Sequence, residues 1–380
     1  MPTWLFVIQA LLIGAILFTV VPHHVLLRLQ VVVWTIGVVA IAVIVGVDAQ
    51  DRFYSNDQVL HTTIVRTLLN WSWLPETSAL DMRLPYALPA VAITYLGISE
   101  ILALKTVSLI CLLALSHELL SQFHSTRLSE QVKTLYITGC GLIGSFFSLL
   151  ALRETMMMLF AYLFFAKKSP AVRASSITML VLLRFHLAVA LLVAEILIFV
   201  LSLVRTKGRL QYAFPIFLVL IGTLLGNFFF HLGRGDLGRG DFTVLKNFGL
   251  TEIRAIASNF VGLQFLTTRE WSVNFSIRSL LLLRVLFSET VVIQALFTLV
   301  ALLLGPSLSR RGQITLVAFS FYVSIATSTD FNSFRQNVPF MPILGTVVLD
   351  VLMQHRRLKE PSLSSGRVKS AAATIELRET

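Results

Sequence analysis

Apolar residues fall along this chain in long blocks, with short polar connections between them. Neither the alternation of a half-buried strand nor the stripe of a surface helix dominates. Thr3–Val21, Leu29–Val47, Thr134–Leu152, Leu187–Val204, Ala213–Phe230, Val285–Leu304, Ile314–Thr327 and Gln336–Met353 read as membrane helices. A bilayer crossing needs roughly 20 apolar residues. Tyr86–Leu120 is too long for one crossing. It follows Pro85, contains Pro89, Glu100 and Lys105, and ends at His117 and Glu118, so it predicts a short re-entrant or interfacial helix and then a crossing. Two polar stretches, 48–85 and 232–283, read as long loops. The first contains Val59–Trp71, which could form an amphipathic helix at the membrane surface.

The stretch from Ala151 to Ala194 departs from this pattern. Its apolar segments, about Arg153–Ala166 and Ala174–Leu183, flank a basic turn at Lys167–Arg173. At about 1.5 Å of rise per residue they extend roughly 21 Å and 15 Å, against a hydrocarbon core about 30 Å thick. Neither can cross alone. Arg153 and the triplet Arg184-Phe185-His186 are therefore expected below the opposite surface, with Leu187–Val204 running back. Ionisable groups at that depth pair with something or line a watery cavity. The structural alternative is snorkelling, or an ion pair of Arg153 with Glu154 or Glu195.

Composition agrees. The chain is 56% hydrophobic and only 13% charged, with mean hydropathy +0.81, where a soluble domain carries about 25% charged residues. The net charge of +11 does not indicate nucleic acid, because the basic residues sit in short clusters between apolar blocks, as membrane topology requires. Under this assignment Arg28, Arg127/Lys133, Lys167/Lys168/Arg173, Arg205/Lys207/Arg209, Arg310/Arg311 and the tail from Arg356 share one side, which is then cytoplasmic. Both long loops, Arg153, Arg184, His186 and Arg335 belong to the outer side. Thr3–Val21 has no basic residue before it and no small-residue cleavage site, so it reads as a span and not a cleaved signal. Cys111 and Cys140 both fall inside apolar blocks and imply neither a disulfide nor a metal framework.

The chemistry collects on the outer side. Arg335 precedes the last span, beside Asp330 and ahead of Pro339 and Pro342, which should distort that helix. With Arg153, Arg184 and His186 it would line an outward-facing cationic pocket. Guanidinium groups hold phosphate bidentately and stay charged at any relevant pH, so a lipid-linked diphosphate would suit it. The first loop supplies Asp48, Asp51 and Asp57, with Tyr54 and His61 nearby. A glycosyl transfer needs a base for the acceptor hydroxyl, and such a group can serve. No pair among them has metal-ligand spacing, so no obligatory metal or other cofactor is expected. Gly139, Gly141 and Gly144 match Gly-x-Gly-x-x-Gly formally, yet they lie inside a span with no strand before them, and helix packing explains them better. The duplicated GRGDLGRGD of 233–241 reads as a solvated loop.

This order of features resembles the EpsG-like family of polysaccharide polymerases, related to the Wzy O-antigen polymerases. Gly46-Val47-Asp48 and Tyr54 correspond to its outer-loop Gly-x-Asp and following tyrosine. Leu84-Pro85-Tyr86 matches its lead-in to the third membrane segment. Leu152-Arg153-Glu154 matches its Arg-led short helix, Phe185-His186 the end of its second short segment, and Arg335 the arginine before its last span. The family's arginine upstream of Gly-x-Asp is missing here, and Glu-Thr follows Arg153. Asn56-Asp57-Gln58 with His61 is also similar to the first outer-loop motif of GT-C glycosyltransferases, which transfer one sugar from a polyprenyl-phosphate donor. Those enzymes place one span before that loop, not two.

The expected fold is all-α and GT-C-like, a polytopic membrane protein of about eleven segments with short, broken or re-entrant helices. One transmembrane domain would cover 1–353, and 354–380 would be a disordered cytoplasmic tail. The resemblance implies a glycosyltransferase at the outer face of a bacterial cytoplasmic membrane, polymerising oligosaccharide repeat units carried on polyprenyl diphosphate. Its partners would be that lipid-linked substrate, the bilayer, and a chain-length regulator or flippase of the same pathway. Catalytic roles then fall to Asp48, Asp51, Asp57 and His186, and diphosphate binding to Arg153, Arg184, Arg335 and Tyr54. The alternatives are a GT-C single-sugar transferase and a non-enzymatic lipid-linked oligosaccharide transporter. Transporters often repeat their interrupted helices, and the chain has one such broken pair.

Overall fold

The computed structural model describes residues 2–44, 46–47, 55–72, 83–124, 130–203, the positions 217, 218, 220–222, 224–226 and 228, and residues 310–328 and 338–345. Among these the chain is all-helical. The helices are α1 (Thr3–Val20), α2 (Val25–Ile44), α3 (Ser55–Leu69), α4 (Leu84–Thr94), α5 (Glu100–His124), α6 (Glu130–Leu149), α7 (Glu154–Ala166), α8 (Pro170–Leu203) and α9 (Arg310–Ser328), followed by a 3₁₀ turn at Val338–Phe340. Thr3–Val20, Val25–Ile44, Glu100–Gln122 and Pro170–Ser202 are long and apolar enough to cross a membrane. The expected short helix before the third crossing is α4, led by Pro85. Much of the 48–85 loop, the 232–283 loop, the Val285–Leu304 span and the 354–380 tail lie outside the described residues.

α8 is two helices. Arg184 inside it has φ −162° and ψ 91°, extended rather than helical. Arg173 Nη2 donates to Glu195 Oε2 at 2.5 Å, across 22 residues of sequence. In an unbroken helix those residues would stand roughly 33 Å apart. The chain therefore folds back at Arg184, and 170–183 (α8a) runs antiparallel to 185–203 (α8b). The total length and apolarity of 170–203 would suit one long crossing, but the ion pair shows a hairpin with its break at the Arg184 triplet.

α7 joins the same layer. Arg173 Nε donates to the Phe164 carbonyl at 3.1 Å, and the guanidinium lies 4.6 Å above the Phe164 ring. At the far end the Arg153 guanidinium donates to the Leu183 carbonyl. The two short segments are thus tied to each other at both ends. The layer packs on α5, where Lys167 pairs with Glu118 at 2.6 Å and the Tyr162 hydroxyl donates to Gln122.

These ties give the bundle a polarity. Lys167, Glu118, Gln122 and Arg173 mark one end, and Arg311 lies with Gln122 and Tyr162 there. Gln30 of α2 meets Ser116 at 2.9 Å near the same end, and Arg28 begins that helix beside His23. The connections at Arg28, Lys167–Arg173 and Arg310/Arg311 therefore gather at one end, as the sequence pattern requires. Gly222 and Gly226 sit against the Val317 and Phe321 carbonyls of α9, where an added Cβ would come within 2.7 Å and 2.3 Å. The matching order of the two contacts makes that segment parallel to α9. Gly141 and Gly144 of α6 make room for Gln30 and Leu112. Small residues at helix contacts let backbones approach closely.

Candidate functional site: the apex of the short-helix hairpin

α6 ends in a tight buried turn. The Leu150 and Leu152 amides both donate to the Phe147 carbonyl, at 3.2 and 3.3 Å, and Ala151 between them takes the left-handed region with φ 54°. Glycine usually fills such a helix-ending position; an alanine there costs about 1–2 kcal/mol. The turn delivers Arg153 to the N-cap of α7, and no side chain caps that helix start. Glu154, fully buried, occupies the first turn, where a carboxylate meets the positive end of the helix dipole.

Arg153 does not pair with Glu195, which the sequence offered as a partner, because Glu195 belongs to Arg173. Its guanidinium instead bonds the Leu183 carbonyl at the C-terminal end of α8a. The last carbonyls of a helix lack intrahelical donors, and a cation there also opposes the negative dipole end. Arg184 is the next residue, so the two arginines meet at one apex although 31 positions separate them in the chain. The Arg184 guanidinium lies 5.6 Å above the Tyr322 ring of α9. Tyr322 in turn packs on Phe340, ring centroids 5.5 Å apart, so the apex reaches the turn that follows Arg335 in sequence. His186 and Phe185 are exposed at the start of α8b, their rings 6.0 Å apart.

Depth can be read along α5. From Glu118 to Glu100 its axis rises about 27 Å, and Ser108 stands roughly 15 Å above Glu118. The Ser108 hydroxyl donates to the Leu152 carbonyl at 2.9 Å, fixing the apex at that level. Glu100 bonds Arg66 of α3 at 3.0 Å, marking the opposite end. The apex thus lies about 12 Å short of the end away from the basic connections.

Of the eight site residues expected from sequence, Arg153, Arg184 and His186 come together. Asp48, Asp51, Tyr54 and Arg335 lie outside the described residues, as does Asp330. Asp57 belongs to the first turn of α3, four residues before His61. His61 is buried, with Nε2 2.7 Å from Arg83 Nη1 and its ring edge-on to Tyr86 at 5.0 Å. That environment makes it a packing residue of the α3–α4 junction, not an open loop group. Tyr322 and Ser108 were missed from sequence. A tyrosine in an apolar block and a serine in an apolar helix carry no pattern of their own, and each matters only through what packs against it.

No family model matches this chain, and no curated protein or solved structure matches it.

Proposed function

We propose that the protein is a membrane glycosyltransferase of the outer face of a bacterial cytoplasmic membrane. It takes a polyprenyl-diphosphate-linked oligosaccharide as donor and extends a second lipid-linked oligosaccharide. The acceptor hydroxyl attacks the anomeric carbon of the donor, and the sugar–oxygen bond to the diphosphate breaks. Polyprenyl diphosphate departs with the electron pair, and the hydroxyl proton passes to a carboxylate. Arg153 and Arg184 hold the diphosphate as its charge develops, with Arg335 as a third cation; this is electrostatic stabilisation of the leaving group. His186 supports that site or supplies a proton. Asp48, Asp51 or Asp57 orients or deprotonates the acceptor, with Tyr54 beside them.

The observation that carries this reading is the meeting of Arg153 and Arg184 at a recessed apex where three helices turn or begin. A guanidinium presents its N–H donors as a planar fork, the geometry that matches the oxygens of a diphosphate. The lipid tail lies in the bilayer beside the bundle, and the diphosphate enters from the end away from the basic connections.

The test is a reconstitution. Purified protein in detergent should lengthen a synthetic polyprenyl-diphosphate-linked repeat unit and release polyprenyl diphosphate. Movement of the intact lipid-linked unit across liposomes without any new glycosidic bond would instead identify a transporter and overturn the assignment.

A further inference from the structure

A chain of hydroxyl groups runs through the core to the turn that carries Arg153. Ser108 of α5 is fully buried, and its hydroxyl donates to the Leu152 carbonyl at 2.9 Å. Tyr86 of α4, also buried, places its hydroxyl 2.9 Å from Ser108 Oγ and 3.2 Å from the Leu104 carbonyl. With the serine proton committed to Leu152, the single tyrosine proton is shared between Ser108 Oγ and the Leu104 carbonyl. Behind the tyrosine stands His61, edge-on to its ring and within 2.7 Å of Arg83.

The turn needs such an anchor. Ala151 and Leu152 are fully buried, out of reach of solvent, and a buried carbonyl requires a partner. Ala151 holds a left-handed backbone that a residue with a Cβ adopts only when its surroundings impose it. The residue after Leu152 is Arg153, whose guanidinium must reach the Leu183 carbonyl on another helix. We infer that Tyr86 and Ser108 are positioning residues: by holding the Leu152 carbonyl they set the direction in which Arg153 leaves the turn, and so aim its guanidinium at the diphosphate site. Their proposed effect on the diphosphate rests on the function proposed above; their hold on the turn does not.

The experiment compares the full-length wild type with Tyr86→Phe, Ser108→Ala, Ser108→Thr, Arg153→Lys and the Ser108→Ala/Arg153→Lys double variant, all purified in detergent. Amide hydrogen exchange is read over residues 150–157. Ser108→Ala and Tyr86→Phe should each speed exchange there by about tenfold, the scale of one lost buried hydrogen bond. Ser108→Thr, which keeps the hydroxyl, should restore protection. Unchanged exchange in both hydroxyl-deleted variants overturns the anchor. Should Ser108→Ala fail to insert, Tyr86→Phe keeps the ring and carries the same test alone.

The second readout is affinity for polyprenyl diphosphate itself. Each hydroxyl deletion should weaken it by roughly five- to tenfold, while the double variant should bind no more weakly than Arg153→Lys. Losses that multiply instead would place the action of Ser108 somewhere other than Arg153 and overturn the positioning role. A wild type that does not bind the diphosphate defeats the diphosphate reading, and the exchange result then decides the anchor on its own.

Discussion

Arg173 and Glu195 lie 22 positions apart, on either side of the extended Arg184, and their side chains meet at 2.5 Å. The pair is symmetric about Arg184, and only a reversal there brings the two together. It turns a sequence that could be read as one long span into two antiparallel ones, and it places an arginine at the fold of the hairpin. Spin labels at positions 173 and 195 should therefore report a separation under about 20 Å, where an unbroken helix would give roughly 33 Å. A long-distance spectrum would remove the hairpin and with it the shared apex.

Arg173 serves three contacts at once, the Glu195 carboxylate, the Phe164 carbonyl and the Phe164 ring. Its loss should therefore cost more than the loss of its acidic partner. Arg173→Ala is expected to lower stability by about 1–2 kcal/mol. Glu195→Ala, breaking a part-exposed pair, should cost below about 1 kcal/mol. Thermal unfolding in detergent measures both, and equal effects would show that the hairpin is held elsewhere.

The arginines of the apex separate a clamp from a structural tie. A lysine at position 153 keeps a charge and can still reach the Leu183 carbonyl, so Arg153→Lys should fold and insert. It lacks the planar fork that grips a diphosphate. On the proposed diphosphate clamp, Arg153→Lys and Arg184→Lys should therefore each lose about 2–4 kcal/mol of transition-state stabilisation, by analogy with removal of one oxyanion donor. Arg335→Lys should follow the same direction, more mildly. Polymer chain length at matched protein levels reads the outcome; wild-type lengths from both apex variants would return these residues to a purely structural role.

The carboxylates of the first loop carry a separate expectation. On the proposed transfer, at least one of Asp48→Asn, Asp51→Asn and Asp57→Asn should abolish turnover while leaving expression and donor binding intact, because only the proposed base for the acceptor is lost. Full activity in all three moves that role to Glu154, His186 or Asp330.

The contact between 217–228 and α9 gives a packing prediction. A Cβ at Gly226 would meet the Phe321 backbone carbonyl at 2.3 Å, which no side-chain rotation relieves. Gly226→Ala should therefore destabilise by about 1–3 kcal/mol, the scale of overpacking, read as a fall in detergent melting temperature. An unaffected melting temperature would show that the helices do not approach so closely.

Counting alone determined much of this protein. Block lengths set against a bilayer thickness marked Arg153–Ala166 and Ala174–Leu183 as too short to cross. The same count placed the Arg184 triplet at a break and gathered the basic connections at one end. Such features are local, since rise per residue and the cost of buried charge depend on little beyond the chain itself. The partners are another matter. That Glu195 belongs to Arg173 and not to Arg153, that Leu183 receives the Arg153 guanidinium, and that Tyr322 lies beneath Arg184 all depend on which helix faces which. Ser108 bonding Leu152, 44 positions away, is of the same kind. In a membrane helix the apolar pattern is nearly uniform around the circumference, so it carries no mark of the neighbouring face. Tertiary packing decides those contacts, because a buried donor or carbonyl must find its partner among whatever the packed helices bring within reach.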